Sequence, residues 1–246
     1  MNLLNMQPAP PIPAASILEA HIRKKFVRQD FELDVEIALS SGITILFGRS
    51  AAGKSTLLDC LAGVLAPDHG KISIASEILF DSEARINLPP PQRRIGYIFQ
   101  NAPLFPHLTV EENVSFGLHT APKNLRRERA QELMEIFHVQ ELRRARPYEI
   151  SGGQRQRALL ARALAPNPRA LLLDEPLSAL DVASKAAILN DLRRWHEQSP
   201  VPILYVTHSR AEAVRIGEHT LLLEAGKIIA HGPPDQTLAR ATDWED

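Results

Sequence analysis

Cysteine is nearly absent from this sequence of 246 residues: Cys60 is the single one. That excludes an intramolecular disulfide and a cysteine-rich zinc site, and it suits a reducing compartment. Long apolar runs are also missing. No stretch approaches the roughly 18 apolar residues that a membrane span needs. Neither sign of charge is in surplus, with 28 Lys+Arg against 29 Asp+Glu and a formal net charge of -1. A global basic field, the electrostatic footprint of many nucleic-acid binders, is therefore excluded, and no nucleic-acid partner is expected. The opening MNLLNMQPAPPIPAAS has no basic start and is interrupted from Pro8 onward, so it is a poor signal peptide. Pro8, Pro10, Pro11 and Pro13 favour an extended leader over residues 1–16.

What remains is the composition of a globular protein, 44% hydrophobic and 23% charged. The length suits one large domain, or a compact domain with a small inserted lobe. Ile17–Ile22 and Phe31–Leu39 read as strands, the second alternating as FELDVEIAL. Ile43–Phe47 is a short apolar run, as expected of a buried parallel strand, and a helix follows from about Lys54 to Val64. Lys71–Ile74, Ile78–Phe80 and Ile95–Phe99 read as further strands, with a break at Pro89–Pro91. Between about 101 and 165 helical, charge-rich patterns dominate, which predicts an inserted helical lobe. Strands at Ala170–Leu173 and Ile203–Val206 alternate with helices at Ser184–Gln198 and Arg210–Ile216. Two last strands flank Ala225-Gly226. The alternation predicts an α/β fold with a mostly parallel sheet covered on both faces.

Gly48-Arg-Ser-Ala-Ala-Gly53-Lys54-Ser55 fits G-x-x-x-x-G-K-[ST] between an apolar strand and a helix, the context that gives this motif its meaning. Backbone N–H groups of Gly48, Arg49, Ser50, Ala51, Ala52, Gly53, Lys54, Ser55 and Thr56 can wrap phosphates at a helix N-terminus. Lys54 is placed to reach the β- and γ-phosphates and the Ser55 hydroxyl to ligate Mg²⁺. Ala170-Leu-Leu-Leu-Asp174-Glu175 is the natural partner, a buried strand delivering carboxylates to the C-terminal edge of a sheet. Asp174 could orient the metal shell and Glu175 could polarise an attacking water. Taken alone, this pair could equally be a solvated strand end.

Ser151-Gly152-Gly153-Gln154 begins a second helix and forms another anion-binding nest. The chain thus has two phosphate-binding helix starts and one loop lysine. A homodimer resolves this, each ATP lying between Lys54 of one copy and Ser151 of the other. An ordinary helix cap by Ser151 is the competing reading. Cys60 sits among Leu57, Leu58 and Leu61 and reads as a small buried residue rather than a nucleophile.

In their order, these motifs resemble the nucleotide-binding subunits of ABC transporters. The resemblance runs from about Ile17 to Thr237. It includes Gln100 ending IGYIFQ, the signature ISGGQ over Ile150–Gln154, LLLDEP with Glu175, SALD ending at Asp181, and His208 in YVTHS. It implies a P-loop ATPase core over 17–240, an antiparallel β subdomain, the helical subdomain at about 101–165 and a tail at 241–246. It also implies roles: Gln100 contacts Mg²⁺ and senses the membrane partner, Asp181 links the two sites of the dimer, and His208 contacts the γ-phosphate. Phe26 takes the place of the aromatic that stacks on adenine, with Phe31 as its competitor. Ala51 and Ile150 depart from the family's usual Gly and Leu. At Ala51 a Cβ would strain the loop if φ is positive, whereas Ile150 conserves volume.

The stretch Leu79–Leu118 is most similar to ATPases of bacterial molybdate importers. Sulfate, iron and polyamine importer subunits share many of its residues. Molybdate ATPases usually carry a C-terminal oxyanion-binding domain, for which this sequence has no room, so a short form is expected. The resemblance implies an ATP hydrolase, peripheral on the cytoplasmic face of the inner membrane. Its expected partners are integral membrane permease subunits, docked on Pro103–His107 and Thr109–Val114, and indirectly a periplasmic or extracytoplasmic solute-binding protein. The rivals are a non-transport ABC ATPase and a non-enzymatic nucleotide-binding regulator; Lys54 and Glu175 together argue against the second.

Overall fold

The structure, a computed structural model, describes residues 17–118 and 121–241. The leader expected over 1–16 and the tail beyond residue 241 lie outside the described residues. In chain order the elements are β1 (Leu18–Phe26), β2 (Phe31–Leu39), β3 (Ile43–Phe47), α1 (Lys54–Ala62), β4 (His69–Ile74), β5 (Glu77–Asp81) and β6 (Ile86–Asn87). There follow α2 (Pro90–Arg93), β7 (Ile95–Ile98), α3 (Val110–Ser115), α4 (Lys123–Ile136), α5 (Gly152–Leu164), β8 (Ala170–Asp174) and α6 (Val182–Gln198). The chain continues with β9 (Ile203–Val206), α7 (Arg210–Ile216), β10 (His219–Glu224), β11 (Lys227–Gly232) and α8 (Pro234–Leu238).

Two sheets organise these elements. One has five strands in the order β2-β1-β4-β5-β6, with antiparallel pairings throughout. The other has six in the order β11-β10-β3-β9-β8-β7; its pairs are parallel except for β10 with β11. The mostly parallel sheet expected from the alternation of strands and helices is therefore present, beside a separate antiparallel one.

The central strands are buried on both faces, which is why their sequences are continuous apolar runs. Ile43, Ile45 and Phe47 of β3 point into a core shared with α4, α5 and α6, through Leu133, Leu160 and Trp195. Leu46 on the opposite face joins Leu172 and Val206 in a second core against α1 and the antiparallel sheet. The alternation follows from the two-residue period of a strand. Each fully buried leucine here contributes about 1.5–3 kcal/mol relative to exposure.

The structure extends or replaces several elements expected from the sequence. β1 continues past Ile22 to Phe26, because β2 pairs with it as far as Phe26 opposite Phe31. The break expected at Pro89–Pro91 is the start of α2, with proline in its first turn. A proline there loses no helical hydrogen bond and its fixed φ suits the helix. α8 begins the same way at Pro234.

Candidate nucleotide site

β3, β9, β8 and β7 lie side by side and parallel, so their C-terminal ends share one edge of the sheet. In open α/β sheets ligands bind outside that edge. After β3 comes the loop Gly48–Gly53, which feeds α1. A β-carbon on Gly48 would stand 2.4 Å from the Leu223 carbonyl oxygen, so no side chain fits there. Gly53 has φ +105°, and a β-carbon would stand 2.8 Å from the Phe31 ring. Ala51 occupies the left-handed region at φ 63°, the strained case anticipated for a residue with a Cβ. Arg49, Ser50, Ala51 and Ser55 are exposed, Ala52 is buried and Thr56 is partly buried.

Lys54 folds back over this loop. Its Nζ donates to the carbonyls of Gly48 at 2.7 Å and Arg49 at 2.9 Å. Burial pulls its pKa below the ordinary lysine value, opposed by the charges of Glu175 and Asp174. Asp174 ends β8, 3% exposed. Burial raises its pKa, while a hydrogen bond from Ser55 works the other way. An ammonium, a hydroxyl and two carboxylates thus face the phosphate loop, a set suited to phosphate and a hard cation.

Glu175 follows directly, in the left-handed region at φ 46°. Its Oε2 accepts from Gln100 Nε2 at 3.3 Å and lies 3.5 Å from His208 Nδ1. Gln100 stands two residues beyond β7 and His208 two beyond β9, so three adjacent strands aim one residue each at the same point. Both contacts fall on the same carboxylate oxygen of Glu175.

Ser151 and Asp181 form a second group. Ser151 caps α5: its Oγ accepts from Gln154 N at 3.3 Å, and Gln154 Oε1 accepts from Ser151 N at 2.8 Å. Asp181 caps α6, accepting from Ser184 N at 3.0 Å. Hydrogen bonds from Ser184 hold its carboxyl below the ordinary range. The two helix starts are neighbours, since β-carbons built on Gly152 and Gly153 would lie 3.5 Å from Leu180 and 3.8 Å from Ser184. Phe26 stands elsewhere, half-buried at the end of β1, its ring 6.2 Å from that of Phe31.

Two buried charged residues are not marked by the sequence. Arg93 is fully buried. It donates to the carbonyls of Cys60 and Leu61 at 2.8 Å and of Leu88 at 2.9 Å, and to Asn87 Oδ1 at 2.9 Å. It caps the C-terminal end of α1, a favourable place for a cation. In the run PPPQRR it reads as one of two exposed arginines, and no local signal separates them. Glu212 on α7 is buried beside the His208 loop; its only local signal is the capping spacing Ser209-x-x-Glu212.

A sequence profile of the family described as ABC transporter matches residues 33–178. The "Molybdenum import ATP-binding protein ModC" of Pseudomonas syringae pv. tomato is 44% identical over 220 residues, covering 89% of this chain and 61% of that protein. The chain spans about three fifths of the length of the curated relatives it matches. A crystal structure of an ATP-binding cassette of an ABC transporter in its ADP conformation shares the fold, with a TM-score of 0.81 at 23% identity, covering 94% of this chain and 96% of that one. A bacterial ABC transporter cassette solved as a dimer has a TM-score of 0.75 at 27% identity, covering 88% of this chain and 98% of that one.

Proposed function

The chain belongs to the ABC transporter family, and on that premise we propose that it is the ATP-binding and ATP-hydrolysing subunit of a complex importing an oxyanion, molybdate. The observation that carries the hydrolytic part is the convergence of Gln100, Glu175 and His208 beside Lys54 and Asp174 at one sheet edge. Phosphoryl transfer asks a protein for positioning and charge neutralisation, and these residues offer both. The loop amides and Lys54 hold the β- and γ-phosphates, Phe26 stacks on adenine, and Glu175 orients and deprotonates the attacking water. His208 contacts the γ-phosphate and Gln100 holds Glu175.

The site also fits Mg²⁺. Ser55, Asp174 and Gln100 are hard oxygen donors, and burial of the Asp174 carboxylate favours a cation beside it. When bound, the ion would neutralise charge on the phosphates.

The helix starts at Ser151 and Asp181 support a homodimer, in which the nest of one copy closes on the ATP held by Lys54 of the other. The dimeric cassette among the solved structures supports the same assembly. Among the described residues no helix is long and apolar enough to cross a membrane, which fits separate integral membrane permease subunits and a peripheral location at the inner membrane's cytoplasmic face. Their docking surface is the Pro103–His107 loop, braced by Arg162, which donates to the Pro103 carbonyl at 3.0 Å and lies 4.8 Å over the Phe105 ring.

Molybdate rests on the 44% identity to a protein named for molybdenum import and on the stretch Leu79–Leu118. The test is to reconstitute the chain with its permease and titrate binding proteins loaded with molybdate, sulfate, ferric iron or polyamine. Stimulated ATP hydrolysis with the molybdate-loaded protein is expected. Stimulation only by one of the other three would discard molybdate and keep the importer reading.

A further inference from the structure

Glu212 is 6% exposed, and both its carboxylate oxygens are engaged. Oε2 accepts from the Tyr205 hydroxyl at 2.8 Å and from Thr207 Oγ1 at 3.0 Å. Oε1 lies 2.9 Å from Lys185 Nζ. Thr207 Oγ1 in turn accepts from Ser209 N at 3.0 Å, and Ser209 Oγ accepts from Glu212 N at 3.3 Å. These bonds close a ring through Glu212, Thr207 and Ser209, the two residues that flank His208. His208 stands at the tip of the ring, its side chain 55% exposed and turned towards Glu175.

Capping α7 needs only Ser209; the carboxylate does more, pairing the buried Tyr205 and Thr207 hydroxyls and the Lys185 ammonium, each of which an apolar residue at this position would leave without an acceptor. Burial, with Glu212 beside it, pushes the Tyr205 phenol well above its ordinary pKa, so it stays a donor. The arm to Lys185 reaches further. Lys185 lies in the first turn of α6, its amide donating to the Asp181 carbonyl at 3.0 Å. A single buried side chain thus joins the loop that carries His208 to the helix start that Asp181 caps.

We propose that Glu212 is a positioning residue: it sets the backbone from which His208 faces Glu175, and through Lys185 it ties that backbone to the Asp181 turn of α6. The proposal deepens the hydrolytic reading above and rests on it for the role of His208. It makes the His208 loop and the Asp181 turn one mechanical unit, so a shift at the start of α6 is carried to the residue beside Glu175.

The test has two arms on the full chain. In the first, NMR of histidine-labelled protein without nucleotide follows the His208 ring signals, assigned with His208→Gln. Glu212→Gln and Lys185→Met should both shift them, leave those of His21 and His231 in place, and be matched to wild type by Lys185→Arg. In the second, steady-state kinetics of Glu212→Gln should show kcat lowered about tenfold or more with KM nearly unchanged, since misplacing a catalytic group by about 1 Å can cost ~10²-fold. His208 signals that do not move in Glu212→Gln, or equal losses in Lys185→Arg and Lys185→Met, would overturn the proposal. If Glu212→Gln does not fold, Lys185→Met decides alone, by the same signals. A wild-type chain that hydrolyses no ATP would sink the hydrolytic reading, while the resonances would still decide whether Glu212 positions His208.

Discussion

Gln100 Nε2 donates to Glu175 Oε2 at 3.3 Å. The bond joins the ends of β7 and β8, two adjacent parallel strands, and fixes one oxygen of the carboxylate assigned to the water. Gln100→Ala frees that carboxylate to rotate. Its kcat should fall by about tenfold or more while KM for ATP changes less, because orientation at the reacting atoms is felt mainly in the transition state. Steady-state kinetics check this; an unchanged kcat would remove Gln100 from the site.

Phe26 and Phe31 face each other across β1 and β2, but they have different neighbours. The Phe31 ring packs over Gly53, whereas Phe26 is half-buried with Lys24 Nζ 6.0 Å from its ring. Stacking on adenine is binding shared by ground and transition states. Phe26→Ala should therefore raise KM for ATP several-fold with kcat nearly unchanged. If Phe31→Ala gives that pattern and Phe26→Ala does not, Phe31 is the adenine partner.

Ala51 in the left-handed region sets a stability prediction. That conformation costs an L-residue about 1–2 kcal/mol, of which the greater unfolded-state freedom of glycine takes back about 0.5–1. Ala51→Gly should stabilise the chain by about 0.5 kcal/mol, read as a higher urea midpoint at unchanged slope. A lower midpoint would mean that the loop relies on the methyl group.

Cys60 is fully buried, and burial pushes its thiol up to about 12. The folded chain should resist a thiol reagent at pH 8 and react once denatured. The sign of the pH dependence follows from linkage. A pKa raised on folding means that the unfolded chain releases its proton first. The thiol's contribution to stability is complete below about pH 9 and is lost as pH rises towards about 12. Urea midpoints across that range check the direction, with Cys60→Ala as the reference lacking this dependence. Rapid labelling of the native chain at pH 8 would contradict the burial.

The parts of the fold that were legible share one property: their signal is local. ITILF and ALLLD are apolar because both faces of β3 and β8 are covered, and the glycines and lysine of the loop between β3 and α1 name their own chemistry. The extension of β1 to Phe26 was not legible, because Arg23, Lys24 and Lys25 look like a solvated charge run until β2 pairs with them. Nor was α2, since three consecutive prolines suggest a break although proline is at home in a helix's first turn. Arg93 and Glu212 are hidden in the sequence for a tertiary reason. An arginine and a glutamate in polar runs read as surface residues, and only the packing of α1 against α2 and of α6 against α7 buries them.

Lys54, Ser55, Asp174 and Glu175 stand in motifs whose spacing has a mechanical meaning. Only the family resemblance groups Gln100 and His208 with them, because residues beyond three separate strands share no signal along the chain.

The hydrolytic role of the shared site is decided by the Glu175→Gln variant, compared with wild type and Lys54→Ala for ATP binding, steady-state hydrolysis and size in MgATP. The amide keeps the shape of the carboxylate and its place beside Gln100 and His208, and it removes the base, a role typically contributing about 10²–10⁴-fold. Glu175→Gln should bind ATP, turn over at least ~10²-fold more slowly and elute as a dimer, while Lys54→Ala should lose hydrolysis and bind ATP weakly. Hydrolysis at the wild-type rate by Glu175→Gln, or a monomer at saturating MgATP, would rule out Glu175 as the base of a site shared between two copies.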